Sequence, residues 1–132
     1  MDRLSEIFAS KKPLIVFTTA GYPDPETSER GIAAAIENGA DVIELGVPFS
    51  DPMADGPVIA AASQQTAEHG YSISDVLALA GRIRAKFPRV GIILFTYFRY
   101  IRSEKEVGAH NGQPLNRTAY ASTTKTGAHI QA

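Results

Sequence analysis

With 132 residues and no cysteine, the chain has the length for one ordinary domain core and no means of building a disulfide framework or a thiolate metal site. A hydrophobic fraction of 44%, a charged fraction of 20% and a net charge of -1 describe a soluble globular protein, with neither nucleic acid nor an anionic membrane as its main partner. No apolar run approaches the roughly 20 residues needed to cross a bilayer, and the first residues, with Asp2 and Glu6, do not read as a signal peptide, so the cytoplasm is the default compartment.

Taken in chain order, residues 2–10 carry Leu4, Ile7 and Phe8 at spacings that suit a short amphipathic helix, ended by Pro13. Residues 14–18 (L-I-V-F-T) form a continuous apolar run of strand length, as in a parallel sheet buried on both faces. Asp24 followed by Pro25 is a helix-start signal, and the helix through Ile32, Ala35 and Ile36 stops at Asn38-Gly39. Residues 41–45 are the next strand. After a loop stiffened by Pro48, Pro52 and Pro57, residues 58–69 have helical composition and stop at Gly70. Ser72 or Ser74 caps a further helix carrying Val76, Leu77, Ala80 and Ile83, and residues 91–98 (G-I-I-L-F-T-Y-F) are a third buried strand. Such alternation predicts an α/β fold with right-handed crossovers and a parallel sheet flanked by helices.

After Phe98 the pattern stops. Residues 1–98 hold 8 Lys and Arg against 12 Asp and Glu; residues 99–132 hold 5 against 2. The second segment has no sustained period, is rich in Gly, Thr, Ser, Asn and Ala, and reads as a divergent polar tail, disordered or non-native.

The chemistry-bearing residues lie around the second strand. If the sheet closes into a barrel, Val42 and Glu44 share its inward face, while Ile43 and Leu45 face the helices. Glu44 then stands near the C-terminal end of its strand, where barrel active sites are built, and apolar surroundings there suit a carboxyl for proton transfer. Asp55 follows eleven residues later on the loop leaving that strand, and two carboxylates in unlike environments can divide acid and base roles. Composition and spacing also allow plainer roles. Glu44 can be a buried acid satisfied by a neighbouring Tyr or Thr, and Asp55 a turn initiator in A-D-G-P. The histidines His69, His110 and His129 match no triad or metal-ligand spacing.

The run E-L-G-V-P-F-S-D-P-M-A-D-G-P from Glu44 resembles the signature of the tryptophan synthase alpha subunit family. F-T-T-A-G-Y-P-D-P resembles that family's first strand and loop, and I-L-F-T-Y-F its third strand. The resemblance covers about residues 1–98. It implies a partial (βα)8 TIM barrel, consisting of the first three strands and their helices with an irregular C-terminal tail. It also implies retro-aldol cleavage of indole-3-glycerol phosphate to indole and glyceraldehyde 3-phosphate, in tryptophan biosynthesis. By resemblance Glu44 is the general acid/base and Asp55 the second catalytic carboxylate. Tyr97 is a pocket aromatic near the indole, with core packing as its alternative. Pro48 and Asp51 lie in the loop that contacts the beta subunit of an alpha2beta2 heterotetramer, with loop stiffening and helix capping as theirs. No metal or organic cofactor is implied.

The chain departs from that pattern in length, since a full barrel needs about 250 residues. Residues 99–132 align with no later part of the barrel, and the phosphate-binding glycines and serine from the loops after strands 7–8 are missing. The expectation is therefore negligible lyase activity for the chain alone. The alternative function is a catalytically inactive truncated fragment, even a frameshift product, retaining at most beta-subunit binding. Another phosphate-ligand barrel enzyme and a nucleic-acid role for the basic tail are more distant alternatives.

Overall fold

A computed structural model describes residues 2–50 and 55–97 in full, together with the backbone of four short strands within 109–131. The order is α1 (Arg3–Ser10), β1 (Ile15–Thr19), α2 (Pro25–Glu37), β2 (Val42–Gly46), α3 (Pro57–Glu68), α4 (Ile73–Lys86) and β3 (Gly91–Thr96). Then come β4 (Ala109–His110), β5 (Gln113–Pro114), β6 (Tyr120–Thr123) and β7 (Ala128–Gln131). β1, β2 and β3 are parallel neighbours in the predicted order, in register from Ile15 opposite Val42 and from Val42 opposite Gly91.

Local chemistry accounts for the helix boundaries. Asp24 caps α2, its Oδ1 accepting from the Thr27 amide at 2.8 Å, with Pro25 at the first helical position. Ser72, rather than Ser74, caps α4: the Asp75 carboxylate accepts from both the Ser72 amide (2.7 Å) and its hydroxyl (2.9 Å). Gly21 (φ +86°) turns the chain after β1 where no side chain fits, since a Cβ there would lie 2.7 Å from the Tyr71 ring.

The outward face of the sheet makes the core. Ile43, Leu45, Ile92 and Leu94, each at most 1% exposed, pack with Ile32 of α2 and with Ile73, Val76, Leu79 and Ile83 of α4. Each such side chain contributes about 1.5–3 kcal/mol by leaving water. The inward face is covered at its lower end by α1, where Leu4 and Ile7 close over Val42 and Gly91. At the same end Asp41 ties the strand starts together. It pairs with Lys11, accepts from the Leu14 amide at 3.0 Å, and offers its own carbonyl to the Gly91 amide at 2.9 Å.

The third strand ends at Thr96, two residues before the predicted limit, and Phe98 lies outside the described residues. Within 99–132, where regular structure was not expected, β7 pairs antiparallel with β3 (Ile93 opposite Gln131) and β6 pairs antiparallel with β7. The physical reason is the open edge of β3, whose unpaired N–H and C=O groups accept any extended segment in reach. β4 and β5 form a separate two-stranded ladder. Among the described residues no helix is long and apolar enough to cross a membrane.

Candidate active site

The three parallel strands finish at one edge of the sheet, where the residues around their ends form a small cleft. Its lining includes Thr19, Gly46, Asp55, Ser63, Phe95 and Tyr97. The cavity is only about 10 Å³, the room of about one water molecule.

Gly46 gives the cleft its floor. The rings of Phe17 and Phe95 meet edge to face across β2, with centroids 6.0 Å apart. A Cβ on Gly46 would stand 2.8 Å from the Phe17 ring and 3.3 Å from the Thr18 carbonyl, so the strand must carry glycine there.

Glu44 lies two residues earlier on the same face as Gly46, between Phe17 and Ile93 in the strand register. It is half-buried, the least buried residue of a strand whose other positions, Ile43 and Leu45 on the opposite face and Val42 and Gly46 on its own, are all buried. Glu44 is not in the lining of the cleft.

Asp55 does line it, and the structure brings it together with Tyr97: the phenol donates a hydrogen bond to Asp55 Oδ2 at 3.2 Å. Tyr97 also stacks on Phe49, with ring centroids 4.9 Å apart and planes tilted by 34°. Phe49 is in turn held by Ser63 of α3, whose hydroxyl accepts from the Phe49 amide (2.7 Å) and donates to the Phe49 carbonyl (3.1 Å). The loop leaves β2 through Val47, whose amide donates to the Phe95 carbonyl at 2.8 Å. Pro48 is buried; Asp51 lies outside the described residues. Among the described residues no group of three or more His, Asp or Glu side chains converges as a metal site.

Sequence patterns missed Phe17, Gly46, Phe95 and Ser63. A glycine ending an apolar strand is a signal of close approach and could have pointed to Gly46. A serine in mid-helix carries no comparable signal.

The chain as a whole is similar to known proteins. A family model described as tryptophan synthase alpha chain matches residues 5–109. The chain belongs to the tryptophan synthase alpha chain family. It is 46% identical over 102 residues to the tryptophan synthase alpha chain of Burkholderia lata, covering 74% of this chain and 38% of that one. It is 39% identical over 106 residues to that of Aquifex aeolicus, covering 76% and 40%. Among solved structures, tryptophan synthase subunit alpha from Legionella pneumophila superposes with a TM-score of 0.72 at 35% identity, covering 80% of this chain and 42% of that one. Tryptophan synthase from Mycobacterium tuberculosis, in an aminoacrylate-bound form, gives 0.73 at 33% identity, with 80% and 44% coverage. The chain thus spans about two fifths of the curated relatives it matches, and β1, β2 and β3 with their helices are the matching part of a TIM barrel. The family match runs past Phe98, to residue 109.

Proposed function

We propose that this chain carries the acid/base carboxylates of a lyase that cleaves indole-3-glycerol phosphate to indole and glyceraldehyde 3-phosphate. The observation that supports it best is the Asp55–Tyr97 hydrogen bond at the sheet edge where the strand of Glu44 ends. Cleavage needs a proton delivered to indole C3, so that the ring carbon can leave with the electrons of the broken carbon–carbon bond. It also needs a proton removed from the glycerol hydroxyl, whose oxygen becomes the aldehyde carbonyl. Glu44 is the proton carrier in this scheme. Asp55 accepts from the indole N–H and stabilises the positive charge that grows on the ring as C3 is protonated. Tyr97 borders the indole and restrains Asp55. Two carboxylates suffice for this acid–base chemistry, so no metal or organic cofactor is invoked.

The partner in this scheme is the tryptophan synthase beta subunit, in an alpha2beta2 assembly, met through the loop that holds Pro48 and Asp51. The cytoplasm is the proposed compartment. We also retain the division at Phe98, with residues 1–98 as the barrel segment and 99–132 as a segment of separate character.

A second reading is favoured by the antiparallel β7 on the edge where a barrel adds a parallel strand. In it the chain is inactive and retains at most affinity for the beta subunit. Indole release from indole-3-glycerol phosphate, measured with the purified chain alone and with beta subunit added, separates the two. Turnover that Glu44→Gln lowers by at least about 100-fold supports the lyase. Co-purification with the beta subunit without indole release supports the second reading.

A further inference from the structure

The geometry points to Ser63 as the positioning residue of the loop that carries Asp55, acting through the backbone of Phe49 and the ring of Tyr97. The inference deepens the proposed lyase function and rests on it for the importance of Asp55. α3 carries two buried hydroxyls, Ser63 and Thr66, at 4% and 2% exposure. Thr66 does what a mid-helix hydroxyl ordinarily does and donates to the carbonyl one turn back, that of Ala62, at 2.8 Å. Ser63 instead reaches across fourteen residues of chain to Phe49 and satisfies both its amide and its carbonyl. One hydroxyl thereby holds both backbone groups of Phe49, which lies two residues past Val47, where the loop leaves the sheet.

This clamp closes the loop as a ring. The Val47 amide anchors its start on β3, Ser63 fixes Phe49 to α3, and Pro57 begins that same helix two residues after Asp55. The Phe49 ring then sets Tyr97 by stacking, and Tyr97 sets Asp55 by its hydroxyl. Removing the Ser63 hydroxyl leaves two backbone groups of Phe49 without this partner and releases the platform on which Tyr97 rests.

The test uses the full chain and two readouts that need no turnover, so the clamp can fail while the lyase proposal stands, and the reverse. Amide exchange followed by NMR should show the Phe49 amide losing roughly tenfold protection in Ser63→Ala, with the amides of Ile43, Leu45, Ile92 and Leu94 unchanged. In the same variant the 13C resonance of the Tyr97 phenol carbon should move toward that of an exposed tyrosine, and Ser63→Thr, which keeps the hydroxyl, should restore both signals. Thr66→Ala should move neither. An unchanged Phe49 amide, or a Tyr97 resonance that ignores Ser63→Ala, overturns the proposal. If Ser63→Ala unfolds the chain, the wild-type protein still decides. A slowly exchanging Ser63 hydroxyl proton with a nuclear Overhauser contact to the Phe49 amide supports the clamp, and its absence overturns it.

Discussion

The two ends of the parallel sheet solve the same packing problem with different materials. At the N-terminal end the inward face is closed by hydrocarbon, Leu4 and Ile7 against Val42 and Gly91, with the Lys11–Asp41 pair at the rim. At the C-terminal end the same face is closed by directional contacts: two phenyl rings over a glycine, a phenol on a carboxylate, a hydroxyl on a peptide. Hydrocarbon tolerates small displacements and rings or hydrogen bonds do not, which is why one end suits stability and the other suits chemistry.

Substitutions should separate the two ends, beginning with the wall that both share. Leu94→Ala removes a fully buried side chain of β3 and should cost about 2–5 kcal/mol by urea unfolding, abolishing any difference between the ends by loosening both. Alanine placed at the two glycines should then distinguish them. Gly46→Ala pushes a methyl group into the Phe17 ring and toward the Thr18 carbonyl, and should destabilise by about 1–3 kcal/mol. Gly91→Ala meets the Leu4 tip, which can move aside, and a methyl group of fully buried, β-branched Val42, which yields less easily, and should cost about 1–2 kcal/mol. Equal losses at the two positions would show that both ends yield to an added methyl group alike.

Tyr97→Phe falls below Gly46→Ala. It deletes the hydroxyl bonded to Asp55 while keeping the ring on Phe49, and should cost about 0.5–1.5 kcal/mol in chemical denaturation with the Phe17–Phe95 contact intact by NMR.

The slightest effect belongs to acid. Asp41 is held below the usual carboxylate range by its bond to Lys11 and the Leu14 amide, Asp24 by the amide and hydroxyl of Thr27, and Asp2 by those of Ser5. A lowered native pKa means stability that is present above the unfolded value, about pH 4, and lost as pH falls through the native one. The urea midpoint should therefore decline below about pH 4, and Asp41→Asn should flatten part of that decline.

Most of the scaffold was legible in the amino acids. Continuous apolar runs at Ile15, Ile43 and Ile92, separated by capped helices, dictate strand order and parallel sense, since each crossover must pack its helix on the sheet. That Glu44 faces away from Ile43 and Leu45 followed from strand alternation, and the sealing of those two followed from their apolar side chains facing the helices. The pairing of Asp55 with Tyr97 did not, because residues 42 apart in sequence meet only through the fold. The role of Ser63 was equally hidden: its hydroxyl could as well have bonded inside its own helix, as that of Thr66 does. The strands after Phe98 escaped notice because an edge selects its partner by backbone availability, and backbone groups are the same in every residue.

The antiparallel pairing on β3 also limits how the sheet can extend. A barrel grows when a new parallel strand takes up the outward-facing peptide groups of the strand before it. On β3 those groups, from Ile93 to Thr96, are already engaged by a segment running in the opposite direction. Lengthening the array on that flank requires β6 and β7 to peel off together, whereas β1, at the far margin, asks for no such exchange.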